Sequence, residues 1–412
     1  MKVLVADKFE ASGLAGIQGL GLEVVYEPTL DGKLLEGRLA DGHYDVLVVR
    51  STKVTASMVE AANLGLIIRA GAGVNTIDVA AASERGVLVA NCPGKNSQAV
   101  AELAFGLILA CDRRVADNVI DLRRGVWNKK EYSKARGLYG RTLGLVGLGH
   151  IAQAMIPIAR AFGMHVAAFS RWMTAETAAA LSIGRATTLE ELAAMSDVVS
   201  VHVALTPETR ASINDAFFAN VSPGFILVNT SRAEVVDQPA LLRALDAKRV
   251  FAGLDVFEGE PSGGEGTYEG PLKHHPRAYV THHIGASTEQ AQESIAAEVV
   301  RIVDEYRRSG TAPNVVNVTK AGNATHLLVV RHLDRVGVLA HVLGILKDES
   351  INVQEMENIV LGGAKAAIAQ ISVDKEPTPN ALLGMKLNPN VFDASVFPIA
   401  ARPASTVDPV GL

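Results

Sequence analysis

The chain has 412 residues, more than one compact core usually holds, and divides more naturally into roughly two or three domains. Apolar residues at 48%, charged residues at 20% and a net charge of -5 describe an ordinary globular protein with no basic surface for nucleic acid or an anionic membrane, so a small-molecule partner is expected. Two cysteines, Cys92 and Cys111, are too few for a disulfide framework or a four-thiolate zinc site; they read as small buried hydrophobes, and no metal is expected.

In chain order, the opening MKVLVADKFE sets Lys2, Asp7 and Lys8 around a short apolar run and does not resemble a secretion signal. AVAELAFGLILAC, the nearest approach to a membrane span, carries Glu102 and falls short of the ~18 residues needed, so a cytoplasmic location is expected. The β-rich runs KVLVAD, LEVVYE, DVLVVRS, LGLIIRA and GVLVANC alternate with segments long enough for crossover helices, which predicts a parallel sheet over residues 1–95. The periodicity then predicts helix from Asn96 to Leu122, followed by the polar stretch RRGVWNKKEYSKARGLYGR. A second α/β region follows, with strand-like runs TLGLVGLG, HVAAFS, DVVSVHV, FILVNTS, VFAGLDVF and AYVTHHIG. Beyond TAPNVVNV, at about Thr319 to Ala324, the order changes to HLLVVRHLD, VGVLAHVLGILKDES, INVQEMENIVLGG, KAAIAQISVD, PNALLGMKL and VFDASVF, a βαββαβ pattern. The tail ARPASTVDPVGL has no apolar period and is expected to be unstructured.

The run TLGLVGLGHIAQA carries the first chemical motif, a strand ending in Gly147-Leu148-Gly149-His150-Ile151-Ala152 with a helix behind it. Gly147 permits the tight turn, Gly149 lets backbone approach a pyrophosphate, and Ala152 lets helix pack closely on strand; the helix N-terminus then faces the phosphates. A dinucleotide site of Rossmann type is therefore expected. About twenty residues on, where a carboxylate would bind the ribose 2′-hydroxyl of NAD(H), stand Ser170 and Arg171. Ser170 does not repel a 2′-phosphate and Arg171 offers it a planar fork of donors, which favours NADP(H) modestly over NAD(H).

Three later stretches end apolar strands where open α/β sheets place ligands: NTSRAEVVD with Arg232, AGLDVFEGEP with Asp255 and Glu260, and YVTHHIGAST with His282 and His283. An arginine suits a carboxylate, a histidine moves the proton that accompanies hydride transfer, and a glutamate steadies the imidazolium.

Gly147 to Ala152, NTSRAEVVD, AGLDVFEGEP and THHIGAST, in this order and spacing, resemble the D-isomer-specific 2-hydroxyacid dehydrogenases over about Lys2 to Val318. The resemblance implies that Arg232, Glu260 and His283 are the catalytic set, that Asp255 contacts the nicotinamide carboxamide, and that His150, Ile151, Thr230 and Gly285 join the cofactor site. His282 stands where the family usually has Pro and Ala233 where it usually has Gly, which matters if that position needs positive φ. VRSTKVT and RAGAGVNTID resemble the branch acting on 3-phosphoglycerate: backbone at Ala72, Gly73 and Val74 would receive the substrate carboxylate and Arg50 the phosphate, with Arg69, Lys129, Lys130, Lys134 and Arg136 as weaker phosphate candidates.

HLDRVGVL and INV resemble an ACT regulatory domain, which implies L-serine as a regulator near His332, Asp334 and Asn352 around the turn at Gly337, or a role only in joining subunits; Val336 replaces a usual Pro. The expected fold class is α/β: two Rossmann-like doubly wound parallel-sheet domains plus a ferredoxin-like βαββαβ domain. The expected division is a discontinuous substrate domain of residues 1–95 and 285–318, a nucleotide domain of 96–284, a regulatory domain of 324–400 and a tail of 401–412. The implied reaction is reversible hydride transfer between 3-phosphoglycerate and NAD(P)+, giving 3-phosphohydroxypyruvate in the first step of serine synthesis, by a dimer or tetramer. A hydroxypyruvate or glyoxylate reductase is the second reading, and a non-catalytic nucleotide sensor the third.

Overall fold

In the computed structural model, which describes residues 1–247, 250–261, 265–318 and 322–399, the chain falls into two units, one formed by Met1–Asn317 and one from Val318 onward. The first five β-rich runs become β1 (Lys2–Val5), β2 (Glu23–Tyr26), β3 (Val46–Val49), β4 (Leu66–Arg69) and β5 (Leu88–Asn91), a parallel sheet in the order β2-β1-β3-β4-β5. All four residues of β3, VLVV, are buried, as a strand covered on both faces requires. The second region forms β6 (Thr142–Val146), β7 (His165–Phe169), β8 (Gly184–Arg185), β9 (Val198–Val201), β10 (Phe225–Asn229), β11 (Val250–Leu254) and β12 (Ala278–Val280). Their order, β12-β11-β10-β9-β6-β7-β8, reverses between β6 and β9, and a ligand crevice is expected at the carboxyl ends of those two strands. The two-residue β8 had no sequence signal because it is too short to show a period.

One expectation is corrected. The helix read from Asn96 to Leu122 is two helices, Ser97–Arg113 and Val115–Arg123, broken at Arg114, which takes the left-handed φ of 51°. At the break the Arg114 guanidinium meets Asp117, three residues on (2.9 Å), and Glu131 beyond the next loop (2.8 Å).

The chain passes between the two sheets twice. After β5, helix Ser97–Arg113 packs Ala101, Ala104, Phe105 and Ile108 into a core with Leu143 and Leu145 of β6. After β12, helix Glu289–Ser309, started by the Thr288 side chain capping the Ala291 N–H, returns to the first sheet. There Ile295, Val299, Ile302 and Val303 share a core with Val3, Val5, Val46 and Val48, each such burial contributing roughly 1.5–3 kcal/mol. Glycines make this contact close: a Cβ on Gly16 of helix Ala11–Gly19 would come within 2.7 Å of Val300.

The second unit comprises β13 (His326–Leu333), helix Val338–Asp348, β14 (Val353–Val360), β15 (Ala366–Val373), helix Pro379–Lys386 and β16 (Val391–Pro398). Its sheet, β14-β15-β13-β16, is antiparallel throughout. The strict alternation of β15, whose Ala367, Ala369, Ile371 and Val373 are buried, gives one face to the helices. The tail 401–412 lies outside the described residues. Among those described, no helix is long and apolar enough to cross a membrane, and no cluster of three or more His, Cys, Asp or Glu side chains could hold a metal; Cys92 and Cys111 are free and buried.

Candidate active site

At the switch point the backbone is shaped for a pyrophosphate. Gly147 has φ of 90°, and a Cβ there would lie 2.6 Å from the His202 carbonyl, so no other residue fits the turn. Gly149 has open space on its Cβ side and stands at the N-cap of helix His150–Ala161, which has no side-chain cap. His150 is exposed and Ile151 half-buried beside it. At the ends of β9 and β10, Ser200 Oγ, His202 Nδ1 and Thr230 Oγ1 are buried without a hydrogen-bond partner, polar atoms of the kind a bound dinucleotide would satisfy. Burial pushes His202 down to about 3, so its ring is neutral, with Nε2 on the Met155 sulfur at 2.8 Å. Ser170 is half-buried, and the exposed Arg171 lies 5.1 Å over the Trp172 ring. Glu208 stands near enough to feel the arginine: its carboxyl is held low first by Thr206 and further by Arg171.

Asn229, 1% exposed, shapes the turn after β10. Its Oδ1 accepts from the Ser231 N–H (3.0 Å) and hydroxyl (2.8 Å), and its Nδ2 donates to the Arg232 carbonyl (2.9 Å). Arg232 is thereby sent across to the first sheet, where one terminal nitrogen reaches Asn75 Oδ1 at 3.4 Å and would clash, at 2.4 Å, with any Cβ on Gly73. Ala233 begins a short 3-10 turn and is not among the positive-φ residues, so alanine in place of glycine introduces no strain.

Arg232 does not stand alone. Burial, then repulsion from Arg232 and Arg50, pulls Arg69 down to about 10, and its Nε donates to the Arg50 carbonyl at 3.0 Å. The Arg50 turn hangs from Asp7 at the end of β1, whose carboxylate accepts the N–H groups of Arg50 (2.6 Å), Ser51 (3.1 Å) and Thr52 (3.0 Å). Arg69 thus feels the positive charge of both Arg50 and Arg232, and the Arg232 guanidinium lies against Gly73, a concentration of positive charge suited to an anion. Of the other basic candidates, Lys134 pairs with Glu131 at 2.5 Å and Arg136 with Asp197 at 3.1 Å, and Lys129 and Lys130 lie in the short helix Lys129–Tyr132.

His283 Nδ1 meets Glu260 Oε2 at 2.9 Å, and Glu260 Oε1 accepts the Phe257 N–H at 2.8 Å. Glu260 raises the His283 pKa against the opposing effect of burial. Burial would raise the glutamate, but His283 and the Phe257 amide outweigh it and hold the carboxyl low. His283 has the left-handed φ of 54°, strained for a residue with a side chain. Asp255 braces it: 1% exposed, its carboxylate accepts from the Thr281 hydroxyl (2.6 Å) and the N–H groups of Ile284 (2.9 Å) and Gly285 (2.8 Å). His282 is exposed and outside this set.

In the second unit, His332 is 1% exposed, with Nδ1 on the Leu333 carbonyl (2.7 Å) and Nε2 on Asn358 (3.1 Å). Asp334 follows it, before the positive-φ turn at Gly337. Here a second expectation is corrected: Asn352 is not beside them. His332 is level with Ala367, whereas the Asn352 carbonyl takes the Asp374 N–H, at the far end of β15 and roughly 20 Å away at 3.3 Å per residue. Because β13 and β14 run the same way, the end of one and the start of the other lie at opposite ends of the strands.

The sequence reading missed Asp7, Asn75, Asn229, Ser200 and His202. Asp7 closes the KVLVAD run and Asn229 opens NTSR, so position at a strand end was the available signal.

Residues 105–285 match the family model for the D-isomer specific 2-hydroxyacid dehydrogenase NAD-binding domain. A D-3-phosphoglycerate dehydrogenase of Methanocaldococcus jannaschii is 38% identical over 321 residues, 77% of this chain and 60% of that protein, so the chain spans about three fifths of its length. A hydroxypyruvate reductase of Thermotoga maritima is 44% identical over 62% of this chain and 82% of its own. Among solved structures, NAD+-bound 3-phosphoglycerate dehydrogenase of Entamoeba histolytica superposes with a TM-score of 0.64 at 26% identity, covering 77% of this chain and 99% of the other.

Proposed function

Because the chain belongs to the D-isomer-specific 2-hydroxyacid dehydrogenase family, we propose that it is an oxidoreductase acting on a phosphorylated 2-hydroxy acid, 3-phosphoglycerate, with 3-phosphohydroxypyruvate as the oxidised partner. The observation that carries this reading is the cluster of Arg50, Arg69 and Arg232 beside the His283–Glu260 pair. A small 2-oxo acid has one carboxylate, which Arg232 and the backbone at Ala72–Val74 suffice to hold. Arg50 and Arg69 remain, and a phosphate supplies the additional charge they call for.

A bound nicotinamide would supply or accept the hydride. The residues do the rest. Arg232 fixes the carboxylate, so that the neighbouring carbon faces the ring. With Nδ1 committed to Glu260, His283 presents Nε2, which donates a proton to the carbonyl oxygen in reduction and takes the hydroxyl proton in oxidation. Glu260 stabilises the imidazolium form. Gly147, Gly149, His150 and Ile151 would hold the pyrophosphate, Thr230 and Gly285 border the nicotinamide, and Asp255, besides bracing the loop, would meet the carboxamide. Ser170 and Arg171 support a modest preference for NADP(H), with Glu208 opposing it.

The second unit is read as an ACT-like module for regulation or assembly in a homo-oligomer; a serine site using His332, Asp334 and Asn352 together would need two copies. The 44% identity to a hydroxypyruvate reductase favours the unphosphorylated acid as second reading. Purified protein assayed with 3-phosphohydroxypyruvate, hydroxypyruvate and glyoxylate, each with NADH and NADPH, separates them. Turnover of the phosphorylated acid is expected to lead; preference for glyoxylate or hydroxypyruvate would defeat the phosphate assignment, and turnover of none would return the nucleotide-sensor reading.

A further inference from the structure

Glu298, on helix Glu289–Ser309, is a 5% exposed carboxylate that the chemistry above does not use. Four donors surround it: Arg301 through Nη2 (2.5 Å) and Nε (3.1 Å), Asn314 Nδ2 (2.7 Å) and Lys95 Nζ (3.2 Å). Led by Arg301, they hold its carboxyl at about 2 against the cost of burial, so it is ionised at any working pH. Arg301 alone would anchor a helix carboxylate. The other two partners come from elsewhere: Lys95 from the first passage between the sheets, Asn314 from the segment after the helix.

Asn314 continues the connection. With φ of 58°, it turns its side-chain nitrogen to the Asn91 carbonyl (3.3 Å) while its own carbonyl takes the Asn91 N–H (3.3 Å). Asn91, at the end of β5, donates through Nδ2 to the Ala72 carbonyl at 2.5 Å, and the next residue, Cys92, donates its N–H to the Gly71 carbonyl at 2.9 Å. Gly73 of that same loop lies against Arg232. A buried charge is therefore joined, through two asparagines, to the loop facing the substrate arginine.

We infer that Glu298 is a positioning residue for the loop Gly71–Val74, acting through Asn314 and Asn91, with its Lys95 ion pair tying that loop to the first passage between the sheets. The inference rests on the reading of this loop as the seat of the substrate carboxylate. Glu298→Gln preserves an acceptor for Asn314 but removes the charge that holds Lys95 and Arg301.

The test is amide hydrogen exchange on the full chain without substrate, comparing wild type, Glu298→Gln and Asn91→Ala. Exchange at 71–74 should quicken about tenfold in both variants, the effect of losing one good hydrogen bond, with β6 unchanged. Unaltered exchange at 71–74 overturns the relay, whatever turnover shows. In parallel, KM for the accepted 2-oxo acid should rise about tenfold with kcat and cofactor KM within about twofold, and the double variant should be no worse than Asn91→Ala alone. Quicker exchange with unchanged KM overturns the positioning role. A wild type idle on every acid defeats the substrate reading instead, while exchange still decides whether the relay exists.

Discussion

Replacing Glu260 by Gln tests the proton-transfer chemistry with little change in shape. The side chain keeps an acceptor for the Phe257 amide, but the group facing His283 Nδ1 at 2.9 Å becomes an NH2 that has no charge and cannot accept the Nδ1–H. A charge-assisted hydrogen bond contributes about 1.5–3 kcal/mol when desolvated. His283 is 56% exposed and Glu260 26%, so screening reduces the expected loss to about 1 kcal/mol. In oxidation His283 becomes the imidazolium that Glu260 stabilises, so that loss corresponds to a fall of roughly fivefold in the rate of the oxidative proton transfer. The pH profile is the sharper readout. Glu260 raises the His283 pKa; reduction needs the protonated ring and so declines as pH rises through that value, and in Glu260→Gln the decline should begin at lower pH. Oxidation needs the neutral ring, and its rise should move to lower pH as well. Stability follows the same linkage. The raised histidine contributes fully below its ordinary value of 6.5 and loses its contribution as pH rises through the raised one. The depressed glutamate contributes above its ordinary 4.5 and loses as pH falls. The variant should therefore be most destabilised, in urea titrations, between those two ordinary values. Steady-state rates in both directions across pH check the kinetics. Profiles superimposable on wild type in both directions would refute Glu260 as the partner that tunes His283.

His283→Ala should lower kcat by roughly 10² to 10⁴ with cofactor affinity, read by fluorescence titration, nearly unchanged; full activity would remove it from the mechanism. Arg69→Met should raise KM for 3-phosphohydroxypyruvate at least about tenfold and leave hydroxypyruvate within about threefold, and an equal effect on both acids would deny it a phosphate. Arg171→Ala should weaken NADPH by about 1–3 kcal/mol and NADH little, measured by calorimetry; two unchanged affinities would end the 2′-phosphate assignment. Asp255→Asn should cost more turnover than its 1% exposure suggests, because the brace on the strained His283 backbone is lost, and a variant with wild-type kcat would show that the loop holds itself.

Much of this was legible from local pattern. Continuous apolar runs such as VLVV announced buried parallel strands, and the glycine turn with the strand-end Arg232, Glu260 and His283 pointed to a candidate site, in which the structure sets His283 on Glu260 at 2.9 Å. What was not legible depends on partners far apart in the chain. Arg232 meets Asn75 across 157 positions and Asp7 holds Arg50 across 43, separations at which a single sequence carries no pairing signal. The break at Arg114 lacked the Gly or Pro that marks most interruptions, and the Glu131 that its guanidinium meets lies 17 positions away. His332 and Asn352 seemed neighbours by motif, but strand direction separates them, and direction is a property of the assembled sheet.

The double passage between the sheets has an architectural consequence. Lys95 and Glu298, one on each passage, are 3.2 Å apart, so the long segment between them leaves and re-enters the first sheet at nearly one point. A stretch of chain whose ends coincide is topologically a cassette: it can be lifted out and exchanged without rethreading its host. In this fold the cassette carries Gly147, Arg171, Arg232 and His283, while the host carries Arg50, Arg69 and the loop at Gly73. On the proposed reading, the nucleotide and proton chemistry would move as one piece, and the choice of acid would stay with the host.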